Sequence, residues 1–482
     1  MKKEYNGYIT LYLALTLGIL LSLVFVLLEA VRNETMRMEA ESVMDIGLYS
    51  IFGEFNRQLL EQYDLLFIDT SYGQGRPGVR RSEERLQYYM NENFHKEEKN
   101  SWLKVRDLTA LSCDNVAFEC YMYASDRQGQ LLKSQIVDYM KDKTGIENIE
   151  KVLSQFEIVK KENYLSMDIS GKWAEADAHL HNLLEEKKEQ TAEEEKPIGL
   201  DNPADYVKEI KAQGILALAL PTEKVVSGMT IHPQYYFSHR NISQGIGQLE
   251  KEENFADKAI ENTLLREYFM EKCSSYSKWK ESAVLKYQLE YLLSGKESDL
   301  ENLESVVEQI LWIREGINFV YLMSDSKKTA EAESLAAVIS VLLFTPEIKD
   351  AVKLTLLFAW SYAESVKDIR ILLDGNKLPL LKSESTWNTP LSKLLMFTSY
   401  LNDYKVENEG LCYEDYLKFF LSLESEKELL YRFMDLCEMD IRITEGNEYF
   451  QMDGCIGAVK AKVNVSSGYG DGYEITRTYQ YE

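Results

Sequence analysis

Histidine is the scarcest of the chemistry-bearing residues in this chain, with five in 482 positions. His95, His179, His181, His232 and His239 include no i, i+4 pair and no HExxH arrangement, the spacings that bring two imidazoles to one metal. His179 and His181 are two apart on an expected helix and point roughly 200° from each other. The six cysteines, Cys113, Cys120, Cys273, Cys412, Cys437 and Cys455, include no CxxC, which argues against a zinc ribbon or a dithiol redox centre. Buried free thiols and disulfides both remain open; a Cys113–Cys120 bridge would need a turn near Asn115, because one extended strand holds its ends more than about 20 Å apart. There is no Gly-x-Ser-x-Gly elbow, no P-loop and no dinucleotide fingerprint. Positive charge is also in deficit: 54 Lys and Arg face 79 Asp and Glu, a net charge of -25 that repels a phosphate backbone and excludes nucleic acid as an expected partner. No enzyme activity, catalytic residue, cofactor or metal is expected, and the sequence names no small-molecule ligand. With only 8 prolines, long helices meet few breakers.

What the chain does have is one long apolar run. Residues 8–28 carry no charge, and at about 1.5 Å rise per residue they make roughly 31 Å of helix, the thickness of a bilayer core. Fourteen of these positions are Leu, Ile, Val or Phe, each favouring insertion by roughly 0.3 to 0.6 kcal/mol at the helix centre. Thr10, Thr16, Ser22 and Gly18 interrupt the run mildly, since hydroxyls bond back to helix carbonyls and small side chains admit a neighbouring helix. The run exceeds the apolar core of a secretory signal, and Leu28-Glu29-Ala30-Val31-Arg32 lacks a small-x-small cleavage site, so a retained anchor is expected. Lys2 and Lys3 precede it, whereas Arg32 and Arg37 are balanced by Glu29, Glu34, Glu39 and Glu41. The positive-inside rule then places residues 1–7 in the cytoplasm and the rest of the chain outside the cell membrane.

Beyond the anchor, Met44, Leu48, Ile51, Phe52, Phe55 and Leu59 recur at helical spacing, predicting an amphipathic extension over 29–62. Residues 63–235 read as mixed α/β, with strands expected at 63–68, 116–123, 215–220 and 224–231 and helices at 128–141 and 146–161. The charge run at 185–197 reads as a solvated helix end and linker. Residues 236–385 read as a helical bundle. Residues 386–482 read as further helices closed by a β hairpin, in which Val459, Ala461, Val463 and Val465 alternate on one strand and Tyr473, Ile475, Tyr479 and Tyr481 on the other. The fold class is therefore α+β, mostly helical.

The most suggestive polar set lies in the bundle. Arg314 and Asn318 are four apart, and Glu364 and Arg370 flank the apolar run containing Trp360, so a structural ion-pair network is expected in which Arg314 or Arg370 pairs with Glu364.

Asn6-Gly7-Tyr8-Ile9-Thr10-Leu11-Tyr12, followed by the long apolar helix, resembles the start of the Flp (Tad-type) pilus assembly TadE/TadG-like proteins, which are similar to type IV pilins in having a short basic leader, a glycine and then a spanning helix. The resemblance continues into a large Gram-positive branch of that group through MDIGLYSIFGEFNRQLLEQYDLLFIDTSYG, KYQLEYLLSGKESDLENLE, REGINFVYLMSD and AWSYAESVKDIRILLDGNKLPLLK. It implies a single-pass, pseudopilin-like membrane protein with a large acidic external domain, pilin or pilus-assembly proteins as partners, and a processing site between Gly7 and Tyr8. It carries over no catalytic residue. Prepilins have a glutamate five residues after the processed glycine, where this chain has Tyr12. The alternative reading is a membrane-anchored surface binding or sensing protein unrelated to pili, with the tyrosine-rich hairpin as its contact surface.

Overall fold

The computed structural model describes residues 6–94, 110–141, 143, 154–162, 164, 167–190, 203–221, 224–247, 258–343, 345–406, 409–468, 470 and 472–481. The chain divides into two compact units. The first draws on Met1–Ile136, Arg240–Asn254 and Cys437–Glu482, and the second on Val137–His239 and Phe255–Leu436. The six consecutive segments expected from sequence are thus regrouped, and the C-terminal hairpin joins the N-terminal helix.

The first unit is built on a single helix, α1 (Asn6–Phe52), 47 residues long. The short strand β1 (Ile68–Asp69), the helix α2 (Val79–Phe94), the strand β2 (Leu111–Tyr123) and the hairpin strands β3 (Cys455–Ser467) and β4 (Gly472–Gln480) follow. β3 is central. It pairs antiparallel with β2 on one side and with β4 on the other, with Val463 opposite both Val116 and Ile475, and β1 joins its start at Ile456. The alternation on β3 follows the sequence pattern, since Val459, Ala461, Val463 and Val465 are all buried. They share one core with Met36, Ala40, Val43, Met44, Leu48, Ile51 and Phe52 of α1 and with Leu86 and Met90 of α2. Of the strand expected at 63–68 only Ile68 enters the ladder. The amphipathic extension stops at Phe52, and a separate short helix, Arg57–Tyr63, starts on Asn56, whose side chain accepts from the Leu59 amide.

The second unit is helical. Its long members are α3 (Asp299–Ser324), α4 (Ser326–Leu342) and α5 (Lys349–Leu373), with the helices Ile169–Gln190, Pro203–Lys211, Lys258–Lys272, Gln288–Ser294 and Tyr413–Leu423 around them. α3 begins on Ser298, whose hydroxyl accepts from the Glu301 amide, and α4 begins on Asp325, which accepts from Lys327 and Lys328. Two expected strands are corrected here. Residues 215–220 form a helical turn, Ile215–Ala219, with Ile215, Leu216, Leu218 and Ala219 buried. A continuous apolar run of that length carries no period that separates strand from helix. Residues 224–231 form no strand and make one isolated bridge, from Thr230 to Ser298. Most of the helix expected at 146–161 lies outside the described residues, apart from Glu157–Lys161 and the turn before it.

Candidate functional site

Helix α1 has two halves with different surroundings. From Tyr8 to Val31 its apolar side chains are exposed, Tyr8 at 78% and Phe25 at 67%. Among the described residues it is the one helix long and apolar enough to cross a membrane, with a mean hydropathy of 2.7 in its apolar window. Transfer of such a surface from water to an apolar environment is favourable by about 25 cal/mol per Å2 of apolar area. The hydroxyls within it are already satisfied. Thr16 Oγ1 donates to the Tyr12 and Leu13 carbonyls at 3.0 Å, and Ser22 Oγ to Ile19 at 2.8 Å. Ala14, Gly18 and Ser22 stand four apart and therefore on one face. The Gly7–Tyr8 bond lies in the first turn of α1. This single apolar N-terminal helix is compatible with a membrane anchor.

The second half is clamped. Gly47 lets α2 approach: a Cβ there would stand 2.8 Å from Leu86 Cδ1 and 3.2 Å from Met90 Cγ. At its end Glu54 takes Arg85 in a two-point pair, 2.7 Å from Nε and 2.5 Å from Nη2. β4 runs along α1 in the same direction. Tyr473 reaches the Asn33 carbonyl, Arg477 pairs with Glu41 at 3.0 Å and Asp45 at 3.3 Å, and Tyr481 donates to the Phe52 carbonyl at 2.6 Å. The lengths match: nineteen residues of helix and eight steps of strand both measure about 27 to 29 Å. Arg37 first, and Arg477 after it, hold the Glu41 carboxyl below its ordinary value. The tyrosines expected to present a free surface are instead turned onto the helix, with Tyr479 and Tyr481 ring centroids 4.5 and 4.8 Å from Phe52.

In the second unit the expected ion-pair residues come together around a carboxylate that the sequence reading missed. Asp368, on α5, accepts from Arg314 Nε at 2.9 Å and Nη2 at 2.7 Å, from Asn318 at 3.0 Å and from Lys382 at 2.6 Å, and all four side chains are buried. Lys382 also binds Glu364 at 2.6 Å. The expected Arg314–Glu364 pairing is therefore replaced by Arg314–Asp368 and Lys382–Glu364. Arg370 lies outside the network and donates to Asn402 and to the Leu218 and Leu220 carbonyls. Asp368 stands four residues after Glu364, so helical spacing signals it; Lys382 follows the helix in a loop and has no such signal. Burial raises the Asp368 carboxyl, and Arg314 and Lys382 outweigh burial, leaving it below its ordinary value.

His179, His181, His232 and His239 are exposed and His95 lies outside the described residues. Among the described residues no three metal-ligating side chains converge. All six cysteines are free; Cys113 and Cys120 lie on the one strand β2, with no turn between them.

No curated protein and no solved structure matches the chain. Residues 190–467, more than half of its length, match the model of DUF5702, described as a family of unknown function. The chain belongs to that family.

Proposed function

We propose that the chain is a non-enzymatic, membrane-anchored, pseudopilin-like component of a Flp (Tad-type) surface pilus assembly system, with its N terminus cytoplasmic and its acidic body outside the cell membrane. One observation carries this reading: a single uninterrupted helix leaves its first half bare and apolar while its second half is laid against an antiparallel sheet. A helix so built transmits position rigidly from the bilayer to the folded body, because no break separates the two halves. The small-residue face of Ala14, Gly18 and Ser22 suits close packing against another spanning helix. The sequence resemblance at residues 6–12 supports the same reading.

The experiment is photocrosslinking in native membranes from a probe at Ala14, combined with deletion of the gene. Crosslinks to pilin or assembly-platform proteins and loss of surface fibres are expected. Normal fibres with no such crosslinks contradict the proposal and favour the anchored binding protein instead.

A further inference from the structure

The second unit contains a cleft whose charge is opposite to that of the molecule. It has a volume of about 300 Å3 and lies between the C-terminal half of α5 and residues 387–405. Lys367 is the buried lysine of its lining. This lysine is 4% exposed, yet among the described residues its ammonium has no carboxylate at ion-pair distance and makes one long hydrogen bond, 3.3 Å to the Asn388 carbonyl. A buried ammonium has three donors to satisfy, so two are left pointing at the cavity or its walls. Lys393, partly buried, and Lys405, exposed, line it too, Lys393 with its ammonium 3.7 Å from the centre of the Tyr400 ring. Asp403 is the one acidic residue among the described residues of the lining. Three ammonium groups against one carboxylate leave an excess of two positive charges, in a chain whose net charge is -25.

The charge count selects the ligand. A carboxylate would neutralise half of the excess, whereas a phosphomonoester carries about -1.5 to -2 at neutral pH and offers three acceptor oxygens. The volume stands at the lower end of small-molecule sites, roughly 300 to 1,000 Å3, and the exposed parts of the Tyr400 and Tyr404 rings supply an apolar wall. We propose that this cleft binds a phosphomonoester on a body of sugar size, with Lys367 as the buried counter-charge and Lys393 and Lys405 closing over the phosphate.

The surroundings of Lys367 are consistent with this role. Burial lowers its ordinary value, opposed by Glu364 and Asp403 and assisted by Lys393 and Lys382. Glu364 faces it from the same helix: its Oε1 is held by Lys382 and by the Asn388 amide, its Oε2 is buried without a hydrogen-bond partner among the described residues, and neither oxygen lies at ion-pair distance from the Lys367 ammonium. An arriving dianion would give the Lys367 ammonium the direct anionic partner that Glu364 and Asp403 supply only at longer range. The inference rests on the second unit alone and is independent of the pilus reading.

Isothermal titration of the full chain in detergent with glucose 6-phosphate tests it, with glucose, sulfate and inorganic phosphate as controls at matched ionic strength. Saturable binding of glucose 6-phosphate is expected, tighter than any control, and weakened about tenfold or more by Lys367→Met. Because Lys367 is buried, the double variant Lys393→Gln/Lys405→Gln is measured in parallel, and it is expected to weaken binding with the melting temperature unchanged. Absence of saturable binding up to about 10 mM, equal binding of glucose or sulfate, or affinity indifferent to both variants overturns the proposal. Equal binding of inorganic phosphate overturns the sugar-sized body as part of the recognised ligand.

Discussion

Asp368 accepts from Arg314, Asn318 and Lys382 with no water-exposed side chain among them, so removing any cation leaves charge stranded in a low-dielectric interior. Lys382→Met is predicted to destabilise the second unit by about 3–5 kcal/mol, the range for breaking one side of a buried pair. Thermal melting of the detergent-solubilised chain measures it; an unchanged transition contradicts the network's structural role, as it would for Glu364→Ala. Glu290 gives a pH dependence of defined sign. Burial pushes its carboxyl up to about 7, from an ordinary 4.5, against hydrogen bonds from the Tyr276 amide and the Tyr413 hydroxyl on Oε1. Its Oε2 is buried with no partner among the described residues and is the atom on which a proton would sit. Between about 4.5 and about 7 the folded chain holds a proton that the unfolded chain has released, so this group's stability contribution is present at low pH and lost as pH rises through that window. Glu290→Gln is predicted to flatten the fall in melting temperature between about pH 4.5 and about pH 7; a slope identical to wild type contradicts the assignment.

Among the elements, α1 and β4 are the pair that position everything in the first unit. Gly47→Leu forces a side chain into the Leu86 and Met90 contact, where overpacking costs about 1–3 kcal/mol or more. Limited proteolysis near the helix Arg57–Tyr63 should accelerate in that variant, and wild-type digestion rates would remove Gly47 as the close-approach point. Much of this architecture was legible in sequence. The charge-free run at 8–28, the spacing of Met44, Leu48, Ile51 and Phe52, and the alternation of Val459 to Val465 each repeat one physical period over several turns or pleats. Residues 215–220 were not legible because an unbroken apolar run has no period, and local Gly214 and Pro221 fit a short helix as well as a strand. The role of the hairpin was hidden for another reason: Tyr473, Tyr479 and Tyr481 alternate whether they face solvent or a helix, and only the long-range return of the C terminus to α1 decides between them. Lys382 and Lys367 share that limit, one lying in a loop and the other on a helix that is buried around its whole circumference near its C-terminal end.

At the scale of the whole molecule, a strongly acidic body is joined without a break to an apolar helix, and the two demand different solvents. Tyr12 stands where prepilins carry glutamate, and this predicts that Gly7–Tyr8 remains intact; N-terminal sequencing of the membrane form should recover Met1 or Lys2, and a sequence starting at Tyr8 would reverse that expectation. The anchoring itself is tested most directly by carbonate extraction of membranes together with protease treatment of intact cells, followed with an antibody against the C-terminal hairpin. An anchored chain with an external body stays full-length with the extracted membrane and loses that body to added protease. A full-length chain in the soluble cytosol, untouched by protease until the cells are broken, would contradict the anchoring.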